Sequence, residues 1–259
     1  MRPAEHLALG YFVCFFVLSL GLRRTRAGWL TALGLSSAGA FVALAAPLIP
    51  AHGSVDLRNW WLLLALPLAY WAPGPLAGHP NLRLEHWLRL VDDKLGLART
   101  HWPQGAGLEV AYLLVSPMVP AALLAVTASG TDAVLTTFCL SILVAVLPCY
   151  GLLPLIPTRP PRAFLVPSPA APAGPESVVR HVNVRFLAAV GVGWNTIPSG
   201  HAAAATAAAT LVWRSGSPFW PLFALLAAGV ALATVRGRYH YAADTVLGVG
   251  LGLAAGAWR

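Results

Sequence analysis

The chain has 259 residues, of which 58% are hydrophobic and only 10% charged, against about 25% charged in an ordinary soluble domain. A water-soluble fold of this size cannot hide so much apolar surface, so the composition excludes a soluble globular domain and makes lipid the solvent. The net charge of +8 and the pI near 10.1 then point away from nucleic acid and toward loop arginines that face anionic headgroups or phosphate.

In lipid every backbone amide must be paired within the chain, which leaves helices or a closed barrel. Uncharged runs such as "LGYFVCFFVLSLGL" and "FALLAAGVALATV" lack the period-2 alternation of barrel strands, so the reading is all-α: a polytopic integral membrane helical bundle of about eight transmembrane helices, six at the fewest. The spans fall at 7 to 22, 28 to 50, 59 to 75, 108 to 128, 132 to 156, 197 to 213, 218 to 235 and 241 to 258, the third and sixth being short. The basic cluster "RRTR" (23 to 26) follows the first apolar run instead of preceding it, so that run reads as a retained span and not a signal peptide. Arg23, Arg24 and Arg26 read as topology signals.

Two polar segments interrupt the spans. Within 76 to 107, Leu84, Trp87, Leu88, Val91 and Leu95 recur at helical spacing opposite Arg83, Glu85, Arg89, Asp92 and Asp93, the pattern of an amphipathic helix lying in the interface, as an anchor or as a substrate gate. The segment 157 to 195 is proline-rich to Pro175, and its "ESVVRHVNVRFLAAV" predicts a short helix. These features divide the chain into N-terminal helices with the interfacial helix (1–107) and a catalytic helical core (108–259). With eight spans, "RRTR", the amphipathic segment, 157 to 195 and the turn at 236 to 240 share one side; these are the arginine-rich segments, and the positive-inside rule assigns that side to the cytoplasm.

The chemistry sits in that arginine-rich half. A Pro198-Ser199-Gly200-His201 turn opens an alanine-rich helix, and "RGRYHYAAD" places His240 and Asp244 four residues apart. The residues between the two histidines make about 58 Å of helix, one crossing and one return of a core about 30 Å thick, so both histidines reach the same membrane face. Asp244, one turn beyond His240, can orient its imidazole or simply cap its helix. Arg159 and Arg162 leave the fifth span on that face, and guanidinium forks match phosphate oxygens. The Ser199 hydroxyl and Gly200 amide at a helix start form an anion cradle. The set reads as phosphoryl transfer through a histidine nucleophile, with a second histidine as acid. Glu109 opens a span and either pairs with an arginine or caps its helix. His6, His52, His79, His86, His101 and His181 read as structural, the alanine run 202 to 209 as a packing face, and Cys14, Cys139 and Cys149 as inert packing residues.

Residues 150 to 250, through "PSGH" and "HYAAD", resemble the type 2 phosphatidic acid phosphatase (PAP2) superfamily, which shares its active-site design with vanadium haloperoxidases. Its motifs run Lys-x6-Arg-Pro, Pro-Ser-Gly-His and Ser-Arg-x5-His-x3-Asp. The resemblance implies His240 as nucleophile, Asp244 as its orienter, His201 as general acid, and Ser199, Gly200 and Arg159 on phosphate oxygens. Two cations of that pattern are replaced, by Leu152 and Thr234, with Arg162, Arg236, Arg238 and Arg185 as nearby substitutes. The combination "TRPPR", "NTIPSGH" and "GRYHYAAD" looks closer to the branch that includes inositol phosphorylceramide synthases. The expected activity is hydrolysis of a lipid phosphate or prenyl diphosphate, with neither metal nor other cofactor called for and no nucleic-acid partner. The alternatives are transfer to an alcohol acceptor and an inactive lipid-binding homologue.

Overall fold

A computed structural model of the chain describes residues 1–22, 25–50, 56–97, 106–164 and 178–258. Twelve α-helices account for most of them: α1 (Pro3–Gly21), α2 (Arg26–Ala45), α3 (Leu57–Leu63), α4 (Ala65–Trp71), α5 (Leu82–Lys94), α6 (Ala106–Leu113), α7 (Val115–Ala128), α8 (Asp132–Gly151), α9 (Val178–Val190), α10 (Gly200–Arg214), α11 (Trp220–Arg236) and α12 (Ala242–Ala257). There is no strand among the described residues, only an isolated antiparallel bridge between Thr158 and Asn195. Residues Arg23 and Arg24, His52, His101 and the proline-rich stretch from 165 to Pro175 lie outside the described residues, as does the side chain of Arg26.

Among the described residues three stretches are long and apolar enough to cross a membrane: Pro3–Gly21, Ala27–Leu48 and Asp132–Gly151. A fourth, Ala106–Leu113 with Val115–Ala128, is bent by 60° at the break. Helices α11 and α12 are apolar but shorter, and α10 has 15 residues, about 22 Å of rise. The expected span at 59 to 75 is split at Leu64 into α3 and α4. Outward-facing Val13, Val17, Phe41, Leu44, Leu124, Leu225, Leu232 and Val246 are all exposed, an apolar surface that suits lipid and not water.

Helix α10 is the centre of the core, packed by α7, α8, α11 and α12. Its alanines let the neighbours close in. Gly248, Gly252 and Gly256 of α12 repeat every fourth residue and face it, and a Cβ on Gly248 would lie 2.4 Å from the Ser199 carbonyl oxygen, one on Gly252 2.5 Å from that of Ala203. Small residues on both helices thus permit backbone contact. The consequence is functional, because this seam fixes the start of α10, with His201, beside the start of α12, with Asp244: the Ser199 amide donates to the Asp244 carbonyl at 2.9 Å.

The same end of the bundle collects the loops. The Asn81 amide donates to the Pro157 carbonyl, Trp71 Nε1 to the Val190 carbonyl, and the Val192 amide to the Tyr70 hydroxyl. The α5 segment, 157–164, α9 and the turn at 237–241 therefore meet where the sequence predicts a shared face. In α5 the buried residues are Glu85, Leu88 and Asp92, while Trp87 and Leu95 are exposed. The edge that turns inward carries two carboxylates because arginines and a helix start from other segments wait there, partners that periodicity cannot reveal.

Candidate active site

The second motif folds as a helix cap. Ser199, fully buried, accepts the Ala202 amide on Oγ at 3.4 Å, and Thr196 Oγ1 accepts the Gly200 amide at 3.3 Å. This N-cap arrangement satisfies orphan donors of the first turn of α10. Gly200 must lack a side chain, since a Cβ would sit 2.4 Å from the Tyr150 ring. His201 follows, one residue inside the helix, and is stacked on Tyr112 of α6 with ring centroids 4.9 Å apart. The Tyr112 hydroxyl lies 3.4 Å from His201 Nε2, and Tyr112 in turn stacks on Tyr239 at 3.9 Å.

His240 sits in the turn between α11 and α12, only 5% exposed. Its amide and that of Tyr239 both donate to the Thr234 carbonyl. Its Nε2 faces His201 Nδ1 at 3.3 Å, so the two imidazoles meet as the spacing predicts. Burial above all, then the charges of His201 and Arg162, lower the proton affinity of His240 well below that of an ordinary imidazole, and the Thr196 carbonyl offsets this only in part. The ring is therefore neutral at pH 7 and keeps a lone pair.

Asp244 lies beside it. Its Oδ2 is 4.0 Å from His240 Nδ1, beyond hydrogen-bond length, and accepts instead from Asn195 Nδ2 at 2.8 Å and from the Tyr241 amide at 3.1 Å. The carboxylate thus caps α12 and adjoins the imidazole at once. His240 Nδ1, Asp244 Oδ1 and Asn195 Oδ1 are buried without a hydrogen bond to any described residue. Such a concentration of unsatisfied polar atoms is unusual outside a functional site.

The arginines separate into classes. Arg162 carries no carboxylate partner among the described residues; its guanidinium lies 5.5 Å from the Tyr239 ring centroid, and its charge acts on His201 and His240 alike. Arg159 is held by Glu85 and stacks on Phe164 at 4.6 Å. Arg238 lies 3.5 Å from Asp92 and donates to the Leu97 carbonyl. Arg236 is exposed in the last turn of α11, and Arg185 is exposed on α9. Thr234, where the resemblance would place an arginine, is fully buried and joins its hydroxyl to Thr245 and the Ala231 carbonyl. His6, His79, His86 and His181 are exposed and lie outside this cluster.

Sequence reasoning missed three participants, Asn195, Tyr112 and Tyr239, and left the role of a fourth, Glu109, open. Asn195 links the Arg159 loop to Asp244, bonding Thr158 Oγ1 at 3.2 Å as well; its only signal was a polar residue directly ahead of the Pro-Ser-Gly-His turn. Glu109, fully buried, accepts from Arg180, Asn183 and the Tyr239 hydroxyl, so of its two open readings the structure takes the pairing one. Tyr112, three residues on, shares its helix face. Tyr239 was legible only as a neighbour of His240.

With this geometry in place the comparisons become informative. Residues 82–258 match the family model of the PAP2 superfamily. The chain belongs to that superfamily. PAP2 proteins comprise phosphatases and phosphotransferases, which supports an enzyme of that type here. Neither the curated proteins nor the solved structures give a match. The matched stretch begins at Leu82, the first residue of α5, and so includes the helix whose carboxylates reach Arg159 and Arg238.

Proposed function

We propose that this PAP2 protein is a membrane-embedded lipid phosphatase that hydrolyses a lipid phosphate or prenyl diphosphate through a phosphohistidine. The observation that carries the reading is the 3.3 Å approach of His240 Nε2 to His201 Nδ1 in a largely buried cluster whose Tyr239 ring lies 5.5 Å from the Arg162 guanidinium. The two nitrogens are in hydrogen-bond contact, so a phosphate must part the rings, and it would then meet the His240 lone pair on one side and His201 on the other. His240 Nε2 attacks phosphorus and forms the N–P bond. The P–O bond to the lipid breaks, and the leaving oxygen takes the Nδ1 proton of a His201 imidazolium, the form that the negative charge of the bound phosphate favours. Water then attacks phosphorus, His201 Nδ1 takes a proton back, and the N–P bond breaks to release phosphate. Asp244 at 4.0 Å favours the proton on His240 Nδ1 and the positive ring that forms during attack. Arg159 binds the phosphoryl oxygens of substrate and transition state alike, while the charge of Arg162 beside the imidazoles offsets the negative charge that builds during transfer, so this reading calls for no metal. An eight-span topology, with α3–α4 and α10 as the short crossings, would hold the lipid tails in the bilayer while the headgroup enters at the loop end.

The replacement of two family cations by Leu152 and Thr234 supports a second reading, in which the phosphoryl group passes to an alcohol as in the inositol phosphorylceramide synthases that the motifs resemble. One experiment separates them. Phosphate release from lipid phosphates and prenyl diphosphates is followed with EDTA present for wild type, His201→Ala and His240→Ala. Release by wild type, lost in both variants, supports hydrolysis; turnover only when a polyol or lipid alcohol is added supports transfer; lipid binding with no turnover of either kind refutes both.

A further inference from the structure

Helix α5 brings two acids to the edge of the site, and each holds something the chemistry uses. Glu85 is 1% exposed and takes Arg159 three ways, from the backbone amide at 2.7 Å, Nε at 3.1 Å and Nη2 at 2.8 Å. That grip occupies one edge of the guanidinium and leaves the Nη1 end unclaimed by the carboxylate, on a side chain 43% exposed. Two turns along the same helix face, Asp92 Oδ1 accepts the amide of Ala242, the first residue of α12, at 3.0 Å. Its Oδ2 lies 3.5 Å from Arg238 Nη1. Arg238 has φ of 58°, a left-handed conformation that a side chain-bearing residue rarely adopts, and its carbonyl accepts the Arg162 amide. Asp92 thus pins both ends of the turn that contains His240, and through Arg238 the segment that carries Arg162.

A carboxylate loses much of its hydration on burial, and well-packed apolar residues are often as stabilising as a buried ion pair. An anchor lying in the interface would have no reason to turn two acids inward. What these acids supply is geometry. Arg159 carries a bidentate partner with fixed direction, and the His240 turn carries a helix cap supplied from another helix.

We propose that Glu85 and Asp92 are positioning residues of the phosphate site, Glu85 aiming Arg159 by holding one edge of its guanidinium and Asp92 fixing the turn that carries His240. The proposal rests on the phosphoryl-transfer reading above. It assigns the two carboxylates to different steps. Loss of aim on Arg159 weakens phosphate binding, whereas loosening of the turn displaces the nucleophile.

The test uses the full chain purified in detergent, with Glu85→Gln, Arg159→Gln, the double variant and Asp92→Asn, each checked by its melting temperature. Glu85→Gln should raise KM about tenfold with kcat within about twofold, Arg159→Gln should do the same, and the double variant should be no worse than Arg159→Gln alone. Asp92→Asn should lower kcat with KM nearly unchanged. Effects of Glu85→Gln and Arg159→Gln that multiply, or activity losses that merely follow the melting temperature, overturn the proposal. If wild type turns over no lipid, the functional reading fails separately, and the positioning claim is read from labelling of Arg159 by phenylglyoxal. Protection by inorganic phosphate in wild type that is lost in Glu85→Gln supports it; no protection, or equal protection in both, overturns it.

Discussion

Both ends of the bundle bury paired acids and arginines, but they differ in the polar atoms they leave open. At the end away from the histidines, Glu5 of α1 is fully buried and gripped by Nε and Nη2 of Arg58, Arg2 meets Asp56 at 2.5 Å, and Asn59 ties α3 to the Leu135 carbonyl of α8. Each charge there faces an opposite one, and the cluster locks three helices. At the loop end, His240 Nδ1, Asp244 Oδ1 and Asn195 Oδ1 have no hydrogen bond among the described residues, and Arg162 lies over the Tyr239 ring with no carboxylate partner among those residues. The contrast teaches where to look for chemistry. A satisfied ionic cluster stabilises, whereas polar atoms left open in a buried cluster are arranged for something that comes and goes.

Removing the central group at each end should therefore break different properties. His201→Ala takes away the proton donor and should lower kcat by about 10²- to 10⁴-fold with the melting temperature little changed, as seen in initial rates of phosphate release. Glu5→Ala should do the reverse: it strands Arg58 and costs about 3 kcal/mol of stability, seen as a lower melting temperature in detergent, with kcat/KM of the folded enzyme held within about twofold. Equal effects of both substitutions on both properties would erase the distinction.

Asn195→Ala sharpens the comparison within the loop end. It removes a hydrogen bond to the Asp244 carboxylate and should reduce kcat about tenfold or somewhat more; an unchanged rate would assign Asn195 to loop packing alone. The pH profile supplies the smallest effect. Because His240 has a lowered proton affinity in the folded chain, the acid limb of kcat/KM should fall below the value near 6.5 of a free imidazole. The sign for stability follows from linkage: below that value the unfolded chain binds a proton on this residue that the folded chain refuses, so stability declines as pH falls through it. His240→Gln should flatten that decline, and a decline equally steep in the variant would remove His240 as its source.

The pairing of His201 with His240 was legible because it depends on local facts, the histidine spacing, one crossing and one return of helix. The seam that enforces it was half legible: the alanine run read as a packing face, but the partner glycines at 248, 252 and 256 gained meaning only once α12 lay against α10. Helix α5 shows the limit most clearly. Its apolar residues trace one stripe and its acids another, and nothing in a periodic pattern tells which stripe has partners. Arg159, 74 residues away in sequence, decides the matter for Glu85, and Ala242, 150 away, for Asp92. Asn195 escaped for the same reason, its partner being 49 residues distant. The departures at Leu152 and Thr234 were visible, but that the Thr234 carbonyl shapes the His240 turn was not, since a backbone acceptor leaves no mark on residue type.

The most direct measurement is to trap the covalent intermediate. Wild-type protein is mixed with a lipid phosphate carrying labelled phosphorus, quenched within milliseconds in alkali, digested and mapped. The account predicts label on the peptide that contains His240, stable to alkali, labile to acid and absent from His240→Ala. Turnover with no label, or label on His201 or Ser199, would contradict it.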